Sequence, residues 1–402
     1  MSITTPARPD TARIPLAIPA LLGLAHAAAD GSAGWMLGSL AASRSPAELG
    51  AWFLLYNAPG FASQPLVGWL VDRGRWARPA VLLGLAGQVL ALVAVTRLPT
   101  LAIALAGLGS AFFHVGAGAI ALNATPGRAT GVGLFAAPGV LGLGVGGALA
   151  IAAVPAAPVL VGLLLVLLAF LVATLPTSPT VARVGTAPSP RTVFEAHDLL
   201  VIGLLAAIAL RSLVWTACTW IIEGQSASLL ALTAAAAAGK VLGGPLADYF
   251  GWRRWCVAAL LGAAVLACAG PANPSLVCLS AALLQSATPA SVAALLAWLP
   301  GRPALTAGLG FGLAIAVGGA PFALGLGVHL LATPITAAAL TLAAVLCALL
   351  VHPPHRTQPL VVRPDRTTSS RGAPHDSPQL ACPGPARSRQ PPRVRGHPPR
   401  HR

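Results

Sequence analysis

Asp30, His114, Arg211 and Gln285 are set in long runs of alanine, leucine, valine and glycine, the poorest surroundings for groups that ionise or must hydrogen-bond. Spacing adds company to each. His26 and Asp30 are four residues apart and share one face of a helix, as do Ser110, His114 and Gly118. Arg211, Trp215 and Thr219 stack in the same way, with Glu223 one turn further on. A carboxylate beside imidazoles suits proton uptake and release, and a lone guanidinium suits an anionic group. If these runs cross a membrane, each charge at mid-depth costs about 2.5–3.5 kcal/mol on insertion scales, so such residues face a cavity or a partner.

The elements that must hold them are membrane helices. Of 402 residues 56% are apolar and only 9% charged, against roughly a quarter charged in soluble domains. A span needs about 20 mostly apolar residues. That rule gives twelve: 16–41, 49–71, 79–96, 100–122, 130–152, 154–175, 198–222, 226–247, 254–271, 274–298, 304–330 and 334–351. They fall as an N-terminal bundle of six (16–175), a proline-rich linker (176–197) and a C-terminal bundle of six (198–351), after a short N-terminus (1–15) and before a basic tail (352–402). The fold class expected is all-α, membrane-embedded and two-bundled. Asp30, His114, Arg211 and Gln285 then lie near mid-membrane on helices 1, 4, 7 and 10, one from each three-helix unit. Helices 6 and 12 carry no charge and should face lipid. The short Arg8 and Arg13 stretch with Ala25-His26-Ala27 imitates a cleaved signal peptide, but apolar character resumes at once and the first helix completes the symmetry.

The net charge of +15 is not a nucleic-acid footprint. Residues 352–402 hold ten arginines against Asp365 and Asp376, and aromatics are 5% with no basic–aromatic interleaving. Most other cations occupy alternate gaps. Arg8, Arg13, Arg73, Arg75, Arg78, Arg128, Arg183, Arg191, Arg253, Arg254 and Arg302 fall on one side, Arg44 and Arg97 on the other. Positive-inside places both termini in the cytoplasm and the protein in the cell membrane. The tail's composition predicts disorder. The six cysteines form no ligand spacing, no HExxH or GxSxG is present, and neither metal, cofactor nor enzymatic activity is expected.

The halves repeat. Gly68-Trp69-Leu70-Val71-Asp72 after helix 2 matches Gly244-Pro245-Leu246-Ala247-Asp248 after helix 8, and Pro126-Gly127-Arg128 matches Pro300-Gly301-Arg302 before the glycine-rich helices 5 and 11. Six-helix repeats are a transporter architecture. Lys240 on helix 8 has Gln64 as its counterpart and is short enough of the membrane edge to snorkel.

At these loops the chain resembles the major facilitator superfamily. Gly244 to Arg254, with Asp248, Gly251 and Arg253, is similar to that family's GxLaDrxGrr signature; Gly68, Asp72 and Arg73 keep part of it, with the second glycine early at Gly74. His26-x3-Asp30, Phe113-His114 and Leu210-Arg211-Ser212 resemble the fosmidomycin-resistance, drug-efflux branch, although Val115-Gly116 follow His114 where that branch has proline and a polar residue. The resemblance implies a central cavity between the bundles, proton-driven transport by a monomer, and cytoplasmic latching by Asp72 and Asp248. Proton-coupled export of a small, anionic compound follows, with Arg211, Trp215 and Gln285 on the substrate and Asp30, His114 and His26 on the proton. Uptake of a small metabolite, and a non-transporting membrane receptor or structural protein, stay open as alternatives.

Overall fold

The computed structural model describes residues 16–41, 46–175, 196–221, 226–270, 273–324, 326 and 333–351. Residues 176–195 of the linker, the tail, the N-terminus, and with them Arg8, Arg13, Arg183 and Arg191, lie outside the described residues, as do Arg44 and Glu223; the linker's last two residues, Ala196 and His197, belong to the next helix. Twelve helical segments follow in order: α1 (Ala17–Ala41), α2 (Pro46–Asn57, a π-helical turn Ala58–Ala62, then Gln64–Gly74), α3 (Ala77–Ala94), α4 (Pro99–Ala124), α5 (Thr130–Ile151), α6 (Ala157–Thr174), α7 (Ala196–Ile221), α8 (Ser226–Phe250), α9 (Trp252–Ala269), α10 (Pro274–Ser286 and Thr288–Trp298), α11 (Pro303–Ala307, a π-helical turn Gly308–Leu313, then Ala314–Ala323) and α12 (Thr333–Leu350). Among the described residues there is no strand. Nine of the helices are long and apolar enough to cross a bilayer. Of the others, α1 is diluted by His26 and Asp30, α2 is interrupted by its π turn, and α12 offers a shorter apolar stretch, Pro334–Leu350.

Boundaries are set by local chemistry. Asn273 accepts hydrogen bonds from Ser275 N (3.0 Å) and Leu276 N (3.4 Å) and starts α10, with Pro274 at the first helical position where its missing N–H is harmless. Before α5 and α11 the same turn is built twice. Arg128 N bonds to Thr125 O and Arg302 N to Leu299 O, each at 3.1 Å, across Pro-Gly pairs whose glycines take φ of 70° and 75°. Proline at the first central position and a left-handed glycine at the second is type II turn chemistry. At the far end of α8 the chain runs helically through Pro245 to Phe250, three residues beyond the expected stop, and turns at Gly251 with φ 93°. The matching position after α2 is Arg75, held left-handed at φ 56°. The glycine that would suit that conformation stands one residue early, at Gly74.

Packing inside the bilayer cannot draw on apolar burial alone, so close approach of small residues carries much of it. A Cβ on Gly142 would collide with Ala27 O and one on Gly146 with Gly31 O, which fixes α1 along α5. Gly318 does the same for α11 against α7, where a Cβ would sit 2.5 Å from Ala209 O. Between the halves, Gly68 brings α2 onto α11 and Gly133 brings α5 onto α8, each 2.5 Å from a backbone oxygen by the same construction (Ala304 O and Lys240 O). These pairings repeat the same geometry in both halves. Outward faces are lipid-like. The apolar window of α6 is 11% buried, whereas those of α4 and α10 are 72% buried. So α6 faces lipid as expected and α4 and α10 are interior; α12 buries one face, Leu340, Ala343, Ala344 and Cys347.

Candidate functional site

The described residues hold two polar sites at mid-membrane and two at one end. On the N-terminal side, α1 presents His26 and Asp30 one turn apart and α4 presents His114. The two imidazole Nε2 atoms are 2.8 Å apart, and the carboxylate of Asp30 lies 3.1 Å from His26 Nε2 and 3.6 Å from His114 Nε2. Each ring is held from behind by an acceptor: His26 Nδ1 is 2.9 Å from Phe135 O on α5, and His114 Nδ1 is 2.8 Å from Ser110 O one turn back on its own helix. Ser110 Oγ sits 3.1 Å from the same nitrogen. Phe135 stacks on the His26 ring at 4.8 Å between centroids, and Phe113 closes the other side at 5.8 Å. The pocket for His26 exists because residue 139 is glycine; a Cβ there would collide with the imidazole. The donor atoms of His26, Asp30 and His114 all lie within 4.8 Å of one another, close enough to share one small cation.

The C-terminal side is built from different parts. Arg211 of α7 is 4% exposed, and its Nη1 donates to Gln285 Oε1 at 2.9 Å. Thr288 Oγ1 donates to the same oxygen at 3.0 Å, just past the interruption of α10 at Ala287. The guanidinium Nε of Arg211 is buried with no hydrogen-bond partner, and among the described residues no carboxylate pairs with it. Asp30 is committed to the two histidines instead, so the two mid-membrane charges do not form an ion pair. Lys240 of α8 lies within electrostatic reach of both Arg211 and Asp30. A buried guanidinium with an unsatisfied donor, a lysine nearby and no acid of its own has the chemistry to receive an anionic group.

Trp215 stands one turn beyond Arg211, half-buried against the apolar core, and Thr219 bonds back to Thr216 O; neither shares a hydrogen bond with Arg211. Gln64, the counterpart of Lys240, is fully buried with Nε2 on Gly60 O (2.7 Å) and Oε1 unpartnered.

At the end of the bundle that carries Arg73, Arg75, Arg253 and Arg302, the repeated aspartates do one job twice. Asp72 accepts from Ala304 N (3.0 Å) and Leu305 N (2.8 Å) at the start of α11. Asp248 accepts from Ala129 N (2.8 Å) and Thr130 N (3.1 Å) at the start of α5, and from Thr130 Oγ1 (2.6 Å). Neither helix has a side-chain cap of its own, so each receives one from the opposite half. The carboxylate meets free N–H groups at the positive end of a helix dipole. Gly68 and Gly244 lie four residues before their aspartates and allow the approach: a Cβ on Gly244 would be 2.7 Å from Thr130 Cα. The copies differ in one support. Trp252 Nε1 donates to Asp248 Oδ1 at 2.8 Å, while Trp76, in the equivalent place, is exposed. Arg73 stacks on Trp69 with 5.5 Å to the ring centroid.

The structure puts His26 at the centre of the cluster, and it adds Tyr56 and Thr288, which sequence reasoning had not singled out. Tyr56 is buried beside Ser110, two residues before the π-helical turn of α2 begins at Ala58. The signal for Thr288 was the Thr288-Pro289 pair in mid-span, and that for Gly139 the glycine density of α5; Tyr56 left none.

No protein-family model matches the sequence, and no curated protein sequence does. Solved structures do. A single-site variant of the Escherichia coli fucose:proton symporter FucP matches with a TM-score of 0.65 at 13% identity, over 85% of this chain and 99% of that one. The same protein in its outward conformation, described as a major facilitator superfamily transporter, gives 0.63 at 13% over the same shares. The human organic anion transporter MFSD10 gives 0.60 at 18%, over 86% and 99%. The fold is that of major facilitator superfamily transporters: twelve membrane helices in two pseudo-symmetric bundles of six.

Proposed function

We propose that this protein is a secondary active transporter working by alternating access as a monomer in the cell membrane, and that it exports a small anionic compound in exchange for protons. The observation that carries this reading is Arg211, buried at mid-membrane with a free donor and no carboxylate partner among the described residues. The fold supplies the alternating-access architecture; at these identities it carries no substrate. Arg211 and Gln285 bind the anion with help from Lys240, Trp215 lines the same path, and the His26–Asp30–His114 cluster carries the proton. The His26-x3-Asp30, Phe113-His114 and Leu210-Arg211-Ser212 motifs support a drug-efflux type of the fosmidomycin-resistance kind. The arginine-rich end is the cytoplasmic one by charge asymmetry, with both termini there, so Asp72 and Asp248 latch the cytoplasmic side shut, and Gly68, Arg73, Gly244, Gly251 and Arg253 shape and flank the latches.

The test is transport into proteoliposomes of the purified full chain, with a panel of small organic anions and an imposed pH gradient. Anion flux that follows the gradient and collapses with a protonophore is the expected result. Flux of neutral or cationic compounds alone, indifferent to Arg211→Gln, would refute the anion assignment.

A further inference from the structure

The N-terminal cluster has a proton count that its hydrogen bonds dictate. Phe135 O and Ser110 O are carbonyl oxygens and can only accept, so at 2.9 and 2.8 Å both His26 Nδ1 and His114 Nδ1 must carry their protons. A neutral imidazole then has a bare lone pair at Nε2. Two such lone pairs cannot face each other at 2.8 Å, and Asp30 offers only further acceptor atoms at 3.1 and 3.6 Å. Protonating Asp30 does not help, because its proton cannot lie between the two rings. One extra proton must sit on the Nε2–Nε2 axis.

Two other arrangements fail on distance. If Ser110 Oγ–H donated to His114 Nδ1, a neutral chain of donors would close, but it would leave that nitrogen's lone pair 2.8 Å from Ser110 O, nearer than the hydroxyl at 3.1 Å. A tetrahedral zinc with Zn–N of about 2.1 Å would hold the two nitrogens about 3.4 Å apart, not at hydrogen-bond length.

We propose that the coupling proton is held between His26 and His114, that Asp30 stays ionised as its counter-charge, and that this shared proton clasps α1 to α4. The inference rests on the transport reading for its purpose, not for its chemistry. While the proton is in place, an imidazolium Nε2–H donates to the neutral ring and the net charge with Asp30 is zero. When the proton leaves to water, no bond between heavy atoms changes, but a 2.8 Å attraction becomes a lone-pair repulsion beside an uncompensated carboxylate. The contact between α1 and α4 must then open. The groups that face the pair are Asp30 on α1, Tyr56 on α2, Ser110 on α4 and Lys240 on α8; α5 contributes Phe135 and the gap at Gly139. The cation of Lys240 opposes the proton, so an anion arriving at Lys240 and Arg211 alters what the pair feels.

Nitrogen NMR of the full chain, with its histidines labelled and held in lipid nanodiscs, counts the protons directly; His26→Gln and His114→Gln assign the two rings. At neutral pH the pair should show one imidazolium and one neutral ring protonated on Nδ1. Asp30→Asn should lose the imidazolium and keep both Nδ1 protons, and Ser110→Ala should leave the count unchanged. Two neutral rings in the parent protein, or loss of the hydrogen-bonded pair in Ser110→Ala, would overturn the proposal. So would a metal ion retained in stoichiometric amount after purification, with Nε2 signals of a metal complex. The count needs no transport assay: a neutral pair leaves the transporter reading intact, and failed transport leaves the count intact.

Discussion

At the arginine-rich end the two halves of the molecule are copies, and at mid-membrane they are not. Asp72 and Asp248 each cap a helix of the opposite half through two backbone N–H groups after the same Pro-Gly-Arg turn, with the α11 pair one residue further on because Pro303 stands where Ala129 does and has no N–H. The polar residues deeper in have no such partners in the repeat. In the register of the Gly68–Asp72 and Gly244–Asp248 repeat, the positions equivalent to Asp30 and Arg211 are Ala206 and Trp35. On the proposed reading, a latch that closes one end would serve both halves equally, so duplication would preserve it. Binding an anion and carrying a proton are different tasks, which the two halves would then divide.

Breaking the divided sites should cost most. Arg211→Gln removes the only guanidinium among the described mid-membrane residues and a charge-assisted contact of about 1.5–3 kcal/mol, which predicts substrate binding weaker by about 10–100-fold at every pH. Equilibrium binding of a transported anion measures it. Gly139→Ala adds one methyl group where the His26 ring lies, and should uncouple flux from the pH gradient while leaving anion binding near its original strength. Unchanged coupling in that variant would show that His26 can move without consequence.

The copied sites should respond less, and alike. Asp72→Asn and Asp248→Asn each remove a charge from a helix N-terminus, about 0.5–2 kcal/mol apiece. Both should raise labelling of a cysteine placed in the cytoplasmic half of the cavity, with Asp248→Asn slightly the milder because Trp252 still braces the side chain. A strong effect from one and none from the other would break the comparison. The smallest effect is a gain. Arg75→Gly relieves a left-handed non-glycine residue, a strain of about 1–2 kcal/mol, and should raise thermal stability in detergent without changing transport.

Much of this was legible in the sequence, and the failures have physical causes. Apolar length located the spans, and the duplicated Gly68–Asp72 and Gly244–Asp248 segments and Pro-Gly-Arg turns marked the elements that meet at the two capped helix starts. The expected span of α8 already ran through Pro245; its last stretch to Phe250 was not legible, since a count of apolar residues stops at Asp248. The π turn at Ala58–Ala62 leaves no periodic trace. Spacing along one helix gave the His26–Asp30 face, but not which helix crosses it. His114 could be grouped with them by depth alone, and its 2.8 Å contact with His26 came only with the fold.

The separation of the two sites is tested most directly by the double variant Asp30→Asn/Arg211→Gln in proteoliposomes. Two charges that merely neutralised each other would be removed together without harm, since neither would be left unpaired. The geometry gives them separate partners, so the double variant should lose gradient-driven flux like Asp30→Asn and anion affinity like Arg211→Gln, with the two losses adding. Recovery of gradient-driven transport in the double variant would contradict the division of labour and leave a structural ion pair in its place.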